Sequence, residues 1–285
     1  MEHHHEGLAA DLERLLETAT SRRQSLRWLL SGMAALPLAG CGGGGSIGSV
    51  DVSAAASSVG STGSTGSTGA SCAIIPEETG GPYPGDGTNS NGSGIANALT
   101  LAGIVRSDIC TSVAPGSATA QGIPLTIKVQ LVNVSASCAS VAGAAVYLWH
   151  CDRDGNYSMY ASGLTKENYL RGVQEADTNG VVSFTTIFPG CYAGRMPHVH
   201  FEVFPTLAKA ASAAGRIKTS QFTFPMATLN EVYADSSYAA SSRNLASISY
   251  ATDNVFSDGT ALQMGAVSGN ASTDYTVSLV VGVSL

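Results

Sequence analysis

The 285-residue sequence is poor in charge. Only 12% of its residues are Asp, Glu, Lys or Arg, and no basic run occurs beyond the N-terminal region. With a formal net charge of -7, the chain lacks the positive surface that nucleic acid requires, so nucleic acid is not an expected partner. The sequence also has no C-x-x-C pair, which removes support for a zinc ribbon or a thioredoxin-like redox role.

Helical periodicity is scarce, whereas short β-branched or aromatic runs bounded by Gly, Pro, Ser or Asn are frequent. The stretch from Leu125 to Leu131 alternates strictly between apolar and polar residues, as a half-buried strand does. We therefore predict an all-β fold, a β-sandwich of mostly antiparallel strands with long connecting loops and little helix. Residues 229–247 are the one stretch expected to be helical or irregular. The predicted strands are 101–106, 125–132, 145–149, 181–187, 198–203, 219–224 and 275–283.

The N-terminal region is typical of an export signal. The pair Arg22-Arg23 comes shortly before the apolar run from Trp28 to Ala39, and this run is too short to remain as a membrane-spanning helix. The arginine pair resembles the twin-arginine signal, with Ser25 where a phenylalanine is usual. The sequence thus predicts an exported protein.

The apolar run ends in Leu-Ala-Gly-Cys, which resembles a bacterial lipobox. Cys41 is then the predicted lipidated first residue of the mature chain, and such a lipid would anchor the protein to a membrane. We predict that residues 1–41 are a twin-arginine lipoprotein signal peptide. The protein is expected on the periplasmic or cell-surface side as a membrane-anchored lipoprotein.

Residues 42–71 are rich in Gly, Ser and Thr and include the run S-T-G-S-T-G-S-T-G. A segment of this composition cannot bury enough apolar surface to fold, so we predict a flexible linker. Residues 72–285 remain as one predicted domain, which is long enough to bury a sizeable core.

Two histidines separated by one residue, His198 and His200, fall in a predicted strand. Successive side chains of a strand point to opposite faces, so both imidazoles face the same way and can bind one metal ion. A surface pair on an edge strand is the alternative at this point. Tyr157 and Tyr192, which we expect in strands or at strand ends, are the residues that decide between them.

Several separated motifs together resemble the intradiol ring-cleavage dioxygenases, a family that includes catechol 1,2-dioxygenases and protocatechuate 3,4-dioxygenases. The resemblance runs from about residue 72 to the C-terminus and is closest to the exported, single-domain branch. The motifs are E-T-G-G-P-Y-P, W-H-C-D-R-D-G-N-Y-S, L-R-G-V-Q and P-G-C-Y-A-G-R-M-P-H-V-H.

The resemblance implies a non-haem Fe(III) site held by Tyr157, Tyr192, His198 and His200. Chemistry supports this ligand set, because phenolate is a hard anionic ligand that suits ferric iron, as the tyrosinate of catalase does. An alternative is a facial triad of both histidines and Glu202, which would mark Fe(II) instead but leaves the tyrosines without a purpose.

The resemblance also implies catalytic roles for Arg195, Tyr192 and Gln221. Arg195 would stabilise negative charge that develops on the substrate ring. A catechol dianion would displace Tyr192 from the iron while Tyr157 stays bound, and O2 would then attack the ring. The ring would open between its two hydroxyl-bearing carbons to give a muconate-type diacid. The implied partners are thus a catechol-type substrate and O2.

The sequence departs from the family pattern at Cys191, where many relatives have Trp or another bulky residue, and at Met196 and Pro197. We expect these changes to reshape the substrate pocket. Five cysteines follow the lipid cysteine, enough for two disulfides and one thiol, and Cys110 with Cys191 is one candidate pair. The pairing stays open among Cys72, Cys110, Cys138, Cys151 and Cys191.

Two further readings compete with a dioxygenase. One is a non-catalytic extracytoplasmic β-sandwich binding module, since such sandwiches share this strand pattern without a metal. The other is a surface lipoprotein with a copper or zinc site. An iron–tyrosinate site would absorb visible light, whereas a binding module predicts a colourless protein. Replacing Tyr157 with Phe would abolish the band of the iron site and do little under the copper or zinc reading.

Overall fold

The computed structural model describes residues 73–271 and 273–285. The predicted signal peptide and linker lie outside these residues, as do Cys41 and Cys72. None of the helices in the described part of the chain is both long and apolar enough to cross a bilayer.

Within these residues the chain forms eleven strands and two short α-helices. Short 3-10 turns occur at Val134–Ala136, Leu207–Ala211, Ala213–Gly215, Ser236–Tyr238 and Phe256–Asp258. The helices are α1, Met226–Val232, and α2, Ala239–Leu245. The strands are β1 Asp86–Ser90, β2 Ile95–Asn97, β3 Pro124–Asn133, β4 Ala139–Ser140, β5 Ala145–Trp149, β6 Arg171–Glu175, β7 Val181–Ile187, β8 His198–Phe204, β9 Lys218–Thr223, β10 Ala266–Asn270 and β11 Asp274–Val283.

Two larger sheets dominate the described fold. The first has the order β10-β11-β3-β4, with β7 also paired to β3, and β11 runs parallel to β3. The second has the order β6-β5-β8-β9 and is antiparallel throughout. Strands β1 and β2 form a separate antiparallel pair. The predicted all-β fold is confirmed.

The core lies between the two larger sheets. In β3 every second residue from Leu125 to Leu131 is buried, as the alternation in the sequence predicts. Ile127 and Val129 belong to the same apolar cluster as Val146 of β5 and Phe201 of β8, which come from the second sheet. The inner faces of the two sheets therefore pack on each other as in a sandwich.

Strand β8 is buried along its whole length. Val199, Phe201 and Val203 face the core between the sheets. His198 and His200 point to the opposite face, which is covered by loops. Because β8 lies between β5 and β9, the alternative of surface histidines on an edge strand is wrong.

Other sequence predictions differ from the structure. The strand predicted at 101–106 is a pair of turns, in which the amide of Leu101 bonds to the Ala98 carbonyl and that of Ile104 to the Leu101 carbonyl. By contrast, the prediction that residues 229–247 are helical or irregular is confirmed, since they contain part of α1 and all of α2.

The cysteines also differ from expectation. Cys138 is disulfide-bonded, whereas Cys110, Cys151 and Cys191 are free thiols. The candidate pair Cys110–Cys191 is thus wrong, and so is the expectation of two disulfides. The Cys191 thiol is buried and donates to the Arg195 carbonyl at 3.4 Å, while the Cys110 thiol faces the Thr185 carbonyl.

Candidate active site

The two histidines of β8 bring their Nε2 atoms within 3.1 Å of each other. Nδ1 of His198 lies 2.6 Å from the Met196 carbonyl, so Nδ1 carries the proton and Nε2 is left with a free lone pair. The indole of Trp149, the β5 residue paired with His200, stacks on the His200 ring at 4.9 Å with an interplanar angle of 4°. This stacking fixes the plane of the imidazole.

The two tyrosines come from loops, and not from strands or strand ends as predicted. Tyr157 lies between β5 and β6, and Tyr192 lies between β7 and β8. The loops approach closely because of glycines. A Cβ at Gly190 would lie 2.5 Å from the Arg153 carbonyl oxygen, and one at Gly155 would lie 3.0 Å from Cβ of Tyr192.

The turn that carries Tyr157 is organised by Asp152. Its Oδ1 accepts from the amides of Asp154 and Asn156 at 3.0 and 2.9 Å, which is the turn-forming role that the residues C-D-R-D-G suggest. Its other oxygen, Oδ2, accepts from the Tyr169 hydroxyl at 3.2 Å. Asp152 therefore shapes the loop and is not placed to bind a metal ion together with the histidines.

The hydroxyl oxygens of both tyrosines converge on one atom. Nε2 of His198 lies 3.3 Å from Oη of Tyr157 and 3.2 Å from Oη of Tyr192. Together with Nε2 of His200, three polar atoms surround a nitrogen that has a single lone pair to offer. Only one of them can donate to that lone pair at a time, whereas a cation bound by the four donor atoms, Oη of both tyrosines and Nε2 of both histidines, would interact with all of them.

Burial governs the protonation of the four side chains. It lowers the pKa of His198 and His200 well below the ordinary value, and the nearby Arg195 charge lowers both further. Burial raises the pKa of Tyr192 to about 12 and that of Tyr157 well above its ordinary value, although Arg195 opposes both shifts. The imidazoles are therefore neutral and ready to bind a metal, and a metal must displace the phenol protons.

Two phenol oxygens and two imidazole nitrogens fit ferric iron. Phenolate ligands stabilise the ferric state, and imidazole suits iron among other transition metals. In the described part of the chain, no group of three or more His, Cys, Asp or Glu side chains is placed to hold a metal ion. The alternative triad of both histidines with Glu202 is therefore not assembled.

Glu202 has other partners instead. Its Oε1 lies 3.6 Å from Nε of Arg216, which also approaches Asp86 at 3.9 Å. Burial, reinforced by the Asp86 charge, raises the pKa of Glu202 to about 8. This carboxyl group contributes to a buried polar cluster and not to the set of four donors.

Arg195 and Gln221 lie beside the four donors and contact each other. Nη2 of Arg195 donates to Oε1 of Gln221 at 2.8 Å, and Nε2 of Gln221 donates to the Thr79 carbonyl at 2.8 Å. Gln221 is also the β9 residue paired with His200, so its side chain emerges on the same face of the sheet. The structure therefore brings together all the predicted site residues in the described chain.

The segment that precedes β1 covers the imidazoles. A Cβ at Gly81 would lie 3.3 Å from Cε1 of His200, so this glycine allows the main chain to pass close to the ring. The Tyr83 ring lies 5.0 Å from that of Tyr157 and is half-buried. Tyr83 thus forms part of the wall around Tyr157.

The departures from the family pattern lie beneath the site. Cys191 and Met196 are both buried in the core between the sheets. These two side chains therefore do not line the site, and any effect on the pocket would be exerted through the loop above them. They support the loop that carries Tyr192 and Arg195 from below.

Two functional candidates were missed by the sequence reasoning. Arg171 is fully buried, and all five of its N–H groups face oxygen atoms of Tyr83, Pro84, Tyr147 and Ser158. It therefore ties the covering segment to the Tyr157 loop. Asp253 is the second, a buried carboxylate that contacts Arg195 at 2.9 Å. The quoted motif L-R-G-V-Q contains the first, but no motif marks the second.

Comparison with known proteins finds one matching family and several similar structures. The family described as Dioxygenase matches residues 107–209, a range that includes both tyrosines, both histidines and Arg195. The chain is similar to the structure of an intradiol ring-cleavage dioxygenase from Tetranychus urticae, with 24% identity, 75% of this chain and 95% of that chain covered, and a TM-score of 0.56.

Two bacterial structures are more distant. One is the dioxygenase domain of a dioxygenase carbohydrate-binding protein fusion from Streptomyces sp. SirexAA-E, with 20% identity, 75% and 99% of the chains covered, and a TM-score of 0.46. The other is hydroxyquinol 1,2-dioxygenase from Pseudomonas putida DLL-E4, with 14% identity, 74% and 67% covered, and a TM-score of 0.43. The resemblance of this chain to the intradiol ring-cleavage dioxygenases is thus confirmed, by the family match over residues 107–209 and by the shared fold.

Proposed function

We propose that the protein is a non-haem Fe(III)-dependent intradiol dioxygenase. It would cleave a catechol-type ring between its two hydroxyl-bearing carbons with O2 and release a muconate-type diacid. The observation that carries this proposal is the convergence of two phenol oxygens and His200 Nε2 on His198 Nε2, at 3.1–3.3 Å.

Tyr157, Tyr192, His198 and His200 would hold the iron. When bound, ferric iron supplies Lewis-acid activation of the dihydroxy ring toward O2. Tyr157 is only 3% exposed and packs against Tyr83, so it stays in place. The Tyr192 ring is half-buried, and it is the tyrosine placed to exchange a proton with an incoming catechol hydroxyl.

Arg195 would stabilise negative charge on the substrate ring. Its side chain is 12% exposed, so its charge acts in a site that largely excludes water and is weakly screened. Gln221 holds one edge of the guanidinium while it bonds to the Thr79 carbonyl, and thereby keeps the arginine close to the covering segment.

The charges around the site favour a substrate without a ring carboxylate. Arg171 and Arg195 are the cations whose charge acts on the buried His200 ring. Arg171 has every N–H bonded within the protein, and Arg195 is paired with Asp253. A substrate carboxylate would therefore meet no cation that is free of protein partners there, because the Arg195 charge is already paired with Asp253 even though its Nη1 stays open. We propose catechol or hydroxyquinol as the substrate class, in preference to protocatechuate.

The visible spectrum and oxygen uptake test the proposed function. Purified protein loaded with ferric iron should be burgundy because of tyrosinate-to-iron charge transfer, and it should consume O2 with catechols. We expect kcat/KM for catechol or hydroxyquinol to exceed that for protocatechuate by at least about tenfold, since an unpaired buried charge costs more than 1.4 kcal/mol. A colourless, iron-loaded protein that consumes no O2 would rule out the proposal and favour the binding module.

We also propose that the protein is exported through its arginine pair and anchored by a lipid on Cys41. In the full-length chain, changing both Arg22 and Arg23 to Lys should stop export, because the twin-arginine signal requires the pair. Changing Cys41 to Ser should release exported protein from the membrane fraction. Cell fractionation measures both, and unchanged export of the double-lysine variant would count against the signal.

A further inference from the structure

Asp253 is a buried acid in an otherwise exposed stretch of chain. It lies between α2 and the 3-10 turn Phe256–Asp258, and both of its neighbours in sequence, Thr252 and Asn254, are exposed. Its own side chain is completely buried. A buried carboxylate is stable only where charges and hydrogen bonds compensate for the lost hydration, so its contacts show what it does.

The two carboxylate oxygens of Asp253 have different partners. Oδ1 accepts from the amides of Val255 and Phe256 at 2.8 and 3.1 Å, and thereby shapes the turn that leads into the 3-10 segment Phe256–Asp258. Oδ2 accepts from Nε of Arg195 at 2.9 Å and from the Met196 amide at 2.7 Å. One oxygen therefore shapes its own loop, and the other holds the active-site loop.

The contact with Oδ2 restricts the guanidinium of Arg195. Asp253 holds its Nε and Gln221 holds its Nη2, and the Phe256 ring lies 5.9 Å from its Cζ. A planar group held at two of its three nitrogens has a fixed plane and direction. Within the described residues Nη1 is the nitrogen without a protein partner, so it is the one available to a ligand.

We propose that Asp253 is a positioning residue of this active site. It fixes the Arg195 guanidinium beside the four donors, and by the bond to Met196 it fixes the chain that leads into His198. This inference rests on the proposed function for its catalytic consequence, but the contact itself does not depend on a bound metal or on turnover.

The substitution Asp253→Asn separates the two roles of the carboxylate. The amide oxygen of Asn can still accept from the amides of Val255 and Phe256, whereas its NH2 group is a donor and cannot accept from Arg195 or Met196. A matched control is Asp235→Asn. Asp235 caps another 3-10 turn, Ser236–Tyr238, through the Ser237 amide, and has no contact with the site residues.

Urea unfolding of the metal-free protein tests the contact. We expect Asp253→Asn to lower the unfolding midpoint of the wild-type protein. In an Arg195→Ala background the same change should lower the midpoint by less, because the carboxylate has already lost Arg195 and keeps only its amide donors. An equal decrease in both backgrounds would overturn the inference, since Asp253 would then not act through Arg195.

Kinetics of the iron-loaded protein tests the positioning. Asp253→Asn should lower kcat by about tenfold to one hundredfold, less than the complete loss of a charge-stabilising group would. The visible band and the iron content should stay as in the wild type, and Asp235→Asn should change nothing. In the Arg195→Ala background we expect less than about a twofold further loss, because two residues that act as one unit are not additive.

The outcomes separate this inference from the proposed function. If the wild-type protein is colourless and consumes no O2, the proposed function fails, and the unfolding experiment alone decides whether Asp253 holds Arg195. If the wild type is active and Asp253→Asn lowers kcat by the same factor with and without Arg195→Ala, then the proposed function stands and the positioning role is wrong.

Discussion

Replacing Tyr157 with Phe should weaken and shift the visible band of the iron-loaded protein, leaving only the Tyr192 contribution. It should also reduce oxygen uptake by about one hundredfold or more, beyond the loss typical of a residue that only supports a metal ligand. The substitution removes one oxygen from a set of four donors. Its hydroxyl contacts His198 at 3.3 Å, while its ring packs on Tyr83. Phe keeps that packing, so the free energy of unfolding should change by no more than about 1.5 kcal/mol.

Tyr160→Phe is the matched control for this experiment. Tyr160 lies three residues further along the same loop and also packs on Tyr83, but its hydroxyl bonds to Asn89 and accepts from the Gly85 amide. Its removal should leave the band and the activity intact. A Tyr157→Phe protein that keeps its full colour would contradict the proposed ligand set and point to a metal site with other donors.

Replacing Arg195 with Ala should lower kcat by about 10²- to 10³-fold, the range observed when a preorganised charge-stabilising donor is removed. The four donors remain, so the visible band should persist although activity is lost. Arg195→Lys should restore little of the lost activity, because an ammonium group cannot bond to both Asp253 and Gln221 as the forked guanidinium does.

Arg153→Ala provides the control for loss of a positive charge. Arg153 lies four residues before Tyr157 and forms a half-exposed pair with Asp154 at 3.9 Å. Such an exposed ion pair contributes little to stability, so its loss should change activity by less than about threefold. If Arg195→Ala removed the visible band, its role would be to hold the metal site together, and charge stabilisation of the ring would lose its support.

The strands that support the site can be predicted from the sequence, because each is identified by a pattern of neighbouring residues. Alternating residues identify β3, and one intervening residue is enough to place His198 and His200 on one face of β8. The tyrosines and Arg195 are found by motif. Their meeting point depends on loop geometry, which glycines at 155 and 190 permit.

Contacts between distant parts of the chain cannot be predicted from local sequence patterns. Asp253 stands in a polar stretch where a solvated acid is the natural expectation, and only the folded chain brings it to Arg195. The apolar run at 101–106 is interrupted by Gly103, whose φ of +86° belongs to a turn. Cysteine pairing is equally inaccessible, because composition cannot show that Cys151 and Cys191 are buried in separate parts of the core.

The partners of Arg195 come late in the chain. The four metal-binding side chains are complete once β8 has been made, but Gln221 and Asp253 follow it. A chain made only as far as β8 therefore contains all four side chains but neither partner of its arginine. Iron bound at that stage would lie in a site without an oriented charge. Competence for the proposed ring cleavage should thus require that the residues after β8 have folded onto the sheet.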